Sequence, residues 1–253
     1  MRFRAAQLAL GLLLLLSACG NAPEQLTATV VETYPHDPAA FTQGLLMSDG
    51  RLFESTGLYG QSTLREVDLT TGEVLRQRRL TDDLFGEGLA LVEDRLIQLT
   101  WRAGAAFVYD RDTFELVGSF SYEGEGWGLC FDGEQLWMTD GSATLTARDP
   151  DTFGILNQVI VRHEDEPVTR LNELECRDGN VYANVWFADE VVRIDPRSGE
   201  VTGIIDASQL LPAQQREALG PDAVLNGIAF NEATGNFLLT GKLWPTMFEV
   251  RFE

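Results

Sequence analysis

Five stretches of the chain share one pattern of apolar and polar positions. They begin Phe41-Thr-Gln-Gly-Leu45, Phe85-Gly-Glu-Gly-Leu89, Glu125-Gly-Trp-Gly-Leu129, Arg170-Leu-Asn-Glu-Leu174 and, in the fifth, Asn226-Gly-Ile228. Their apolar anchors Leu45, Leu89, Leu129, Leu174 and Ile228 are spaced by 44, 40, 45 and 54 residues, and the first three intervals match the ~40–45-residue period of a propeller blade. After a turn, each anchor is followed by a second short apolar run: Arg51-Leu-Phe-Glu, Arg95-Leu-Ile-Gln, Gln135-Leu-Trp-Met, Asn180-Val-Tyr-Ala and Asn236-Phe-Leu-Leu. Third and fourth strands are expected around tight reversals such as Asp68-Leu-Thr-Thr-Gly72, Asp149-Pro-Asp-Thr-Phe153 and Asp195-Pro-Arg-Ser-Gly199. Four antiparallel strands per repeat make a blade, so the pattern predicts an all-β, five-bladed β-propeller.

The fifth repeat has room for only three strands before Glu253, and the strand-like stretch 28–34 (Ala-Thr-Val-Val-Glu-Thr-Tyr) precedes the first repeat. The last blade is therefore expected to be closed by this N-terminal strand, which also covers an otherwise exposed edge. The 54-residue interval holds Ser208 to Gly220, where Pro212, a run of helix formers and Gly220 predict a short inserted helix. Residues 162–168 are expected to make a second excursion over one face.

Aligned, the repeats set out their exceptions. Two residues before each anchor stand Gln43, Glu87, Trp127, Asn172 and Asn226, and five residues after the anchors of the second strands stand Gly57, Trp101, Gly141, Trp186 and Lys242. The start of one strand and the end of its antiparallel neighbour share one end of the sheet. Both columns should thus surround one mouth of the central channel. Taken singly, the tryptophans read as packing between blades, Glu87 as a solvated acid and Lys242 as a surface cation. Five repeats that place them in the same two columns point instead to a cup.

The start of the chain changes the domain picture. Met1-Arg2-Phe3-Arg4 is basic, Ala5 to Leu16 is apolar, and Leu16-Ser17-Ala18-Cys19 resembles a lipobox. Residues 1–18 are expected to be a lipoprotein signal peptide, with Cys19 lipidated, 19–25 a short tether and 26–253 the propeller domain. The implied location is the periplasmic side of a bacterial membrane, the outer membrane favoured by Gly20, with the lipid at Cys19 as the membrane partner. An ordinary cleaved secretory signal is the alternative.

The formal charge of the whole chain is −20, and residues 1–18 carry two arginines and no acid. So acidic a surface excludes nucleic acid as a partner. His36 and His163 are the two histidines, and no CxxC spacing occurs, so sequence patterns for zinc are missing. Cys130 and Cys176 follow the anchors of neighbouring blades by one and two residues. They form either a disulfide between blades or two buried thiols.

Several stretches resemble the plant-type and bacterial glutaminyl-peptide cyclotransferases. They are the five starts above together with Tyr59-Gly-Gln-Ser62, Leu99-Thr-Trp101, Leu171-Asn-Glu-Leu-Glu175, Asn184-Val-Trp186, Leu225-Asn-Gly-Ile228 and Thr240-Gly-Lys-Leu-Trp-Pro245. The resemblance implies a five-bladed propeller that converts the N-terminal glutamine of a peptide to pyroglutamate and releases ammonia, with no metal or other cofactor. It implies Glu87 as the proton-transfer residue, with Gln43, Trp101, Trp127, Asn172, Trp186 and Lys242 completing the pocket and Phe41 and Phe85 flanking it. Asn226 joins the substrate-binding set by its column. From the chemistry, Lys242, Asn172 or Gln43 could stabilise the oxyanion. Trp101-Arg102 and Leu129-Cys130 depart from the family pattern beside the pocket and bear on substrate preference. A monomer acting on peptide or protein substrates is expected. Two rival readings are a ligand-binding propeller without catalysis and a metal-dependent, lactonase-like hydrolase that would draw on Glu54, Asp140 and Glu173.

Overall fold

A computed structural model describes residues 22–253; the signal segment and Cys19 lie outside them. The first strand, β1 (Glu24–Pro35), belongs to the end of the ring. The first blade is β2 (Thr42–Ser48), β3 (Arg51–Thr56), β4 (Thr63–Val67) and β5 (Val74–Arg79). The second is β6 (Gly86–Val92), β7 (Arg95–Thr100), β8 (Ala105–Asp110) and β9 (Leu116–Ser121). The third is β10 (Leu129–Phe131), β11 (Leu136–Met138), β12 (Thr144–Arg148) and β13 (Ile155–Ile160), followed by a two-stranded excursion, β14 (Arg162–His163) and β15 (Glu166–Pro167). The fourth is β16 (Leu171–Arg177), β17 (Asn180–Val185), β18 (Glu190–Ile194) and β19 (Val201–Asp206). After the short helix α1 (Ala213–Leu219), β20 (Leu225–Asn231), β21 (Asn236–Gly241) and β22 (Thr246–Phe252) form the fifth.

Each blade is antiparallel, and burial falls from inside to outside. The inner strand β6 is almost wholly buried, whereas the outer strand β9 is almost wholly exposed. Each inner strand packs against the next, and the last, β20, returns to β2, so the five blades close into a propeller. Closure uses β1 as expected and then goes further. Ala28 to Pro35 pair antiparallel with β22 as the fourth strand of the last blade, while Glu24 to Thr27 pair parallel with β19 of the fourth. One strand therefore fuses two blades into a single eight-stranded sheet.

Around the axis the strands come very close, and one further column explains how. The residue just before each anchor is Gly44, Gly88, Gly128, Glu173 or Gly227. A Cβ on Gly128 would lie 2.0 Å from the Asn172 carbonyl oxygen, and one on Gly88 would lie 2.5 Å from the Leu129 nitrogen. Only the fourth blade carries a side chain here. Glu173 spends it across the axis, accepting the Leu45 N–H at 3.2 Å and the Ile228 N–H at 2.7 Å.

The convergence also decides between the two expectations for the cysteines. Cys130 on β10 and Cys176 on β16 are disulfide-bonded, with Cα atoms 5.5 Å apart. The ~10 Å spacing of packed sheets does not apply to inner strands that lean together towards an axis.

The reversals between third and fourth strands repeat one device. Asp68, Asp110, Asp149 and Asp195 each accept hydrogen bonds from the Thr or Ser three residues on. The fifth residue of the turn is left-handed in each of these four blades, glycine at 72 and 199 but phenylalanine at 114 and 153. Both rings are buried, and Phe153 stacks on Phe120 with centroids 5.3 Å apart, so core packing offsets the backbone cost.

Candidate active site

Site residues reach the channel through irregularities in the inner strands. The register shifts across Gln43 in β2, across Glu87 in β6, across Asn172 in β16 and across Asn226 in β20. A β-bulge at the start of a strand re-aims one side chain without disturbing the rest of the ladder. A repeated hydrogen bond then draws the two columns together. The N–H groups of Gly57, Trp101, Trp186 and Lys242 donate to the carbonyls of Phe41, Phe85, Arg170 and Val224 at 2.8–3.0 Å.

The product is a cup of about 220 Å³ lined by Phe41, Gln43, Phe85, Glu87, Trp101, Trp127, Asn172, Trp186 and Lys242. The two glycines of the second column make room for its rings. A Cβ on Gly57 would lie 2.2 Å from the Phe85 ring, and one on Gly141 would lie 2.6 Å from the Trp127 indole. Phe85 packs on Phe41 and Trp101, and Trp127 meets Trp186 edge-on with centroids 5.3 Å apart.

At the floor, Glu87 is only 4% exposed and accepts a 3.2 Å hydrogen bond from Gln43 Nε2. Burial pushes its carboxyl well above the usual range; the charge of Lys242 opposes this and that of Glu125 adds to it. Lys242, 3% exposed, has its Nζ 4.8 Å from the centre of the Phe41 ring and 5.9 Å from that of Trp186. Burial lowers its pKa to about 8, against the pull of Glu87. The cup thus sets a carboxyl that burial biases towards its neutral form beside a lysine whose charge burial disfavours and aromatic faces stabilise only in part. Asn172 adds a buried Oδ1 with no partner in the protein.

Asn226, expected in the substrate-binding set, does not line the cup. It is fully buried behind the wall, where its Nδ2 donates to the Thr42 carbonyl at 2.9 Å and to Gln43 Oε1 at 3.3 Å. It positions Gln43 instead of lining the cup.

Two residues outside the expected set support the cup. Glu125 Oε2 accepts the indole N–H of Trp101 at 2.8 Å and of Trp127 at 3.0 Å, and its Oε1 accepts Arg102 Nε at 2.9 Å. One carboxylate therefore fixes two walls. Its spacing of two from Trp127, which puts both on one side of an extended chain, is a signal that the sequence carries. His36 has Nδ1 2.6 Å from the Trp244 carbonyl and Nε2 3.1 Å from Glu54 Oε1. With an acceptor at each nitrogen the ring is an imidazolium, and it anchors the loop that bears Lys242. No short-range signal marks it, because its partners lie 18 and 208 residues away.

The three carboxylates that a metal-dependent hydrolase would use are engaged elsewhere. Glu54 is held by His36, Arg65 and Thr42, Glu173 by backbone N–H groups, and Asp140 by Ser142. A larger depression, about 690 Å³, is open and lined by charged residues of the third and fourth blades such as Asp132, Asp178 and Arg193.

Comparisons with known proteins agree with this geometry. A family model described as glutamine cyclotransferase matches residues 5–252. A curated glutaminyl-peptide cyclotransferase of Arabidopsis thaliana is 42% identical over 226 residues, 88% of this chain and 71% of that protein. The crystal structure of Myxococcus xanthus glutaminyl cyclase superposes with a TM-score of 0.85 at 42% identity, covering 91% of this chain and 98% of the other.

Proposed function

The chain belongs to the glutamine cyclotransferase family, and we propose from that premise how its cup works. The enzyme cyclises the N-terminal glutamine of peptides to pyroglutamate and releases ammonia. The substrate's α-amine attacks its own side-chain carboxamide carbon, so no protein nucleophile is required. The aromatic walls fold the glutamine until amine and carbonyl meet, and proximity in well-oriented intramolecular reactions is worth roughly 7–11 kcal/mol.

The observation that carries the mechanism is a single buried carboxyl, Glu87, driven towards its neutral form beside a cation. A neutral carboxyl can work with both oxygens. One takes the N–H proton of the attacking amine while the O–H of the other passes to the departing nitrogen. A C–N bond forms, the carboxamide C–N bond breaks, ammonia leaves, and the carboxylic acid is restored. Lys242 faces the oxygen that gains charge as the carbon becomes tetrahedral. The free Oδ1 of Asn172 accepts a hydrogen bond from the amine and orients it, while Gln43 holds Glu87. The direct test is to incubate the purified enzyme with Gln- and Asn-initiated peptides and measure ammonia. Release from the Gln peptide alone supports this reading; release from neither overturns it.

For the rest of the chain we propose a lipid anchor at Cys19 on the periplasmic side of the membrane, the outer membrane favoured, with the propeller acting as a monomer. The sequence Leu16-Ser17-Ala18-Cys19 supports the anchor. Labelled palmitate should enter the wild type and not Cys19→Ser.

A further inference from the structure

The strongly exposed large apolar side chains divide into two groups. Val30, Val31, Val74, Leu75, Leu116, Val117, Ile155, Leu156 and Ile160 lie on or beside the outer strands. Tyr59 and Phe187 lie elsewhere, in loops that follow the second strands at the mouth of the cup, and they are the only aromatics in this exposed set among the described residues. Tyr59 is 51% exposed and meets Phe85 edge-on at 5.4 Å. Phe187 is 53% exposed and its ring lies 4.4 Å from that of Trp186. Each exposed ring thus stands directly on a pocket wall.

The backbone adds an independent sign. Phe187 has φ of 64°, in the left-handed region that disfavours a bulky side chain. Phe114 and Phe153 share that conformation, but they bury their rings. Phe187 buries only the part of its ring that rests on Trp186, so the fold holds a strained, half-exposed aromatic at the entrance of its own active site.

We propose that Tyr59 and Phe187 form an outer subsite for the side chain of the residue that follows the N-terminal glutamine, and that it favours aromatic residues there. The glutamine fills the inner cup, with its reacting atoms at Glu87. Consecutive Cα atoms are ~3.8 Å apart, so the second side chain emerges at the rim, where the exposed rings stand. Of the basic groups nearby, Arg102 lies over Trp101 and is committed to Glu125, Arg79 donates to the Gly60 carbonyl beside Tyr59, and Arg170 adjoins Trp186 through its carbonyl.

This inference rests on the cyclisation reading, and one series of peptides separates the two. Gln-Phe and Gln-Ala peptides of otherwise identical sequence are compared by kcat/KM. The wild type should favour Gln-Phe over Gln-Ala roughly 3–10-fold, the range expected of aromatic contacts. In the double variant Tyr59→Ala/Phe187→Ala the Phe-to-Ala ratio should fall to near one, each ratio being measured within one protein and so independent of its overall activity. Equal rates for Gln-Phe and Gln-Ala in the wild type, or a preference that survives in the double variant, overturn the subsite and leave cyclisation standing. No turnover of any peptide overturns both.

Discussion

At the scale of single residues, function rests on protonation states that burial sets. Glu87→Gln keeps the size and the hydrogen bond to Gln43 but cannot pass a proton, so kcat should fall ~10²–10⁴-fold with an unchanged circular dichroism spectrum. Lys242 must be charged to meet an oxyanion, and its pKa stands at about 8. The charged form is lost as pH rises through that value, so kcat/KM should decline above about pH 8. Lys242→Arg keeps a cation that does not titrate in this range, and its alkaline limb should disappear. An unmoved limb would assign the decline to another group. Most of these residues were legible in the sequence because a repeat shows its exceptions by alignment. Asn226 was misplaced for the same reason. A column fixes a position along the strand, but the bulge at that position decides whether the side chain faces the cup or the wall behind it.

Among elements, the joints between blades carry the closure. The disulfide ties β10 to β16 across 46 residues of chain. By loop-closure entropy such a link contributes about 4 kcal/mol, with native removals typically costing ~2–5 kcal/mol. Cys130→Ser/Cys176→Ser should therefore lower the unfolding free energy measured by denaturant titration by an amount in that range while Gln-peptide turnover at 25 °C persists, because neither sulfur lines the cup. Sequence alone left the bridge and the thiols as open alternatives, since the lean of the inner strands is a property of the closed ring. The N-terminal strand shows the same boundary. Its pairing with β22 follows from a missing strand, whereas its parallel pairing with β19 runs along the outer edge of the fourth blade and depends on how the closed ring sets that edge beside the fifth.

Over the whole molecule, pH links stability to a buried cluster at the joint of the first and last blades. Burial alone would raise Glu54, but the charges of His36 and Arg65 outweigh it and bring its pKa to about 2. A glutamate ordinarily titrates near 4.5, so this group contributes stability that is complete above pH ~4.5 and is lost as pH falls through about 2. The size is roughly 3 kcal/mol. His36, raised above 6.5 by Glu54 and the Trp244 carbonyl despite burial, contributes in the opposite sense. Its share is present below pH ~6.5 and lost as pH rises through the raised value. Glu54→Gln leaves two buried cations without their common partner and should cost ~3–5 kcal/mol at neutral pH. Urea denaturation at pH 7 and pH 3 should show the gap between wild type and variant narrowing at the lower pH; a constant gap would remove the cluster from the acid response.

Blade number, strand order, the closing strand and nearly every wall of the cup were determined by the sequence itself, because each depends on periodicity and on which residues interrupt it. Tertiary structure alone decided the rest: the neutral tendency of Glu87, the imidazolium of His36, the grip of Glu125 on two indoles, the disulfide and the exposed rings at the rim. These depend on burial and on contacts between residues far apart in the chain. They exist only once five convergent strands have excluded water from one axis.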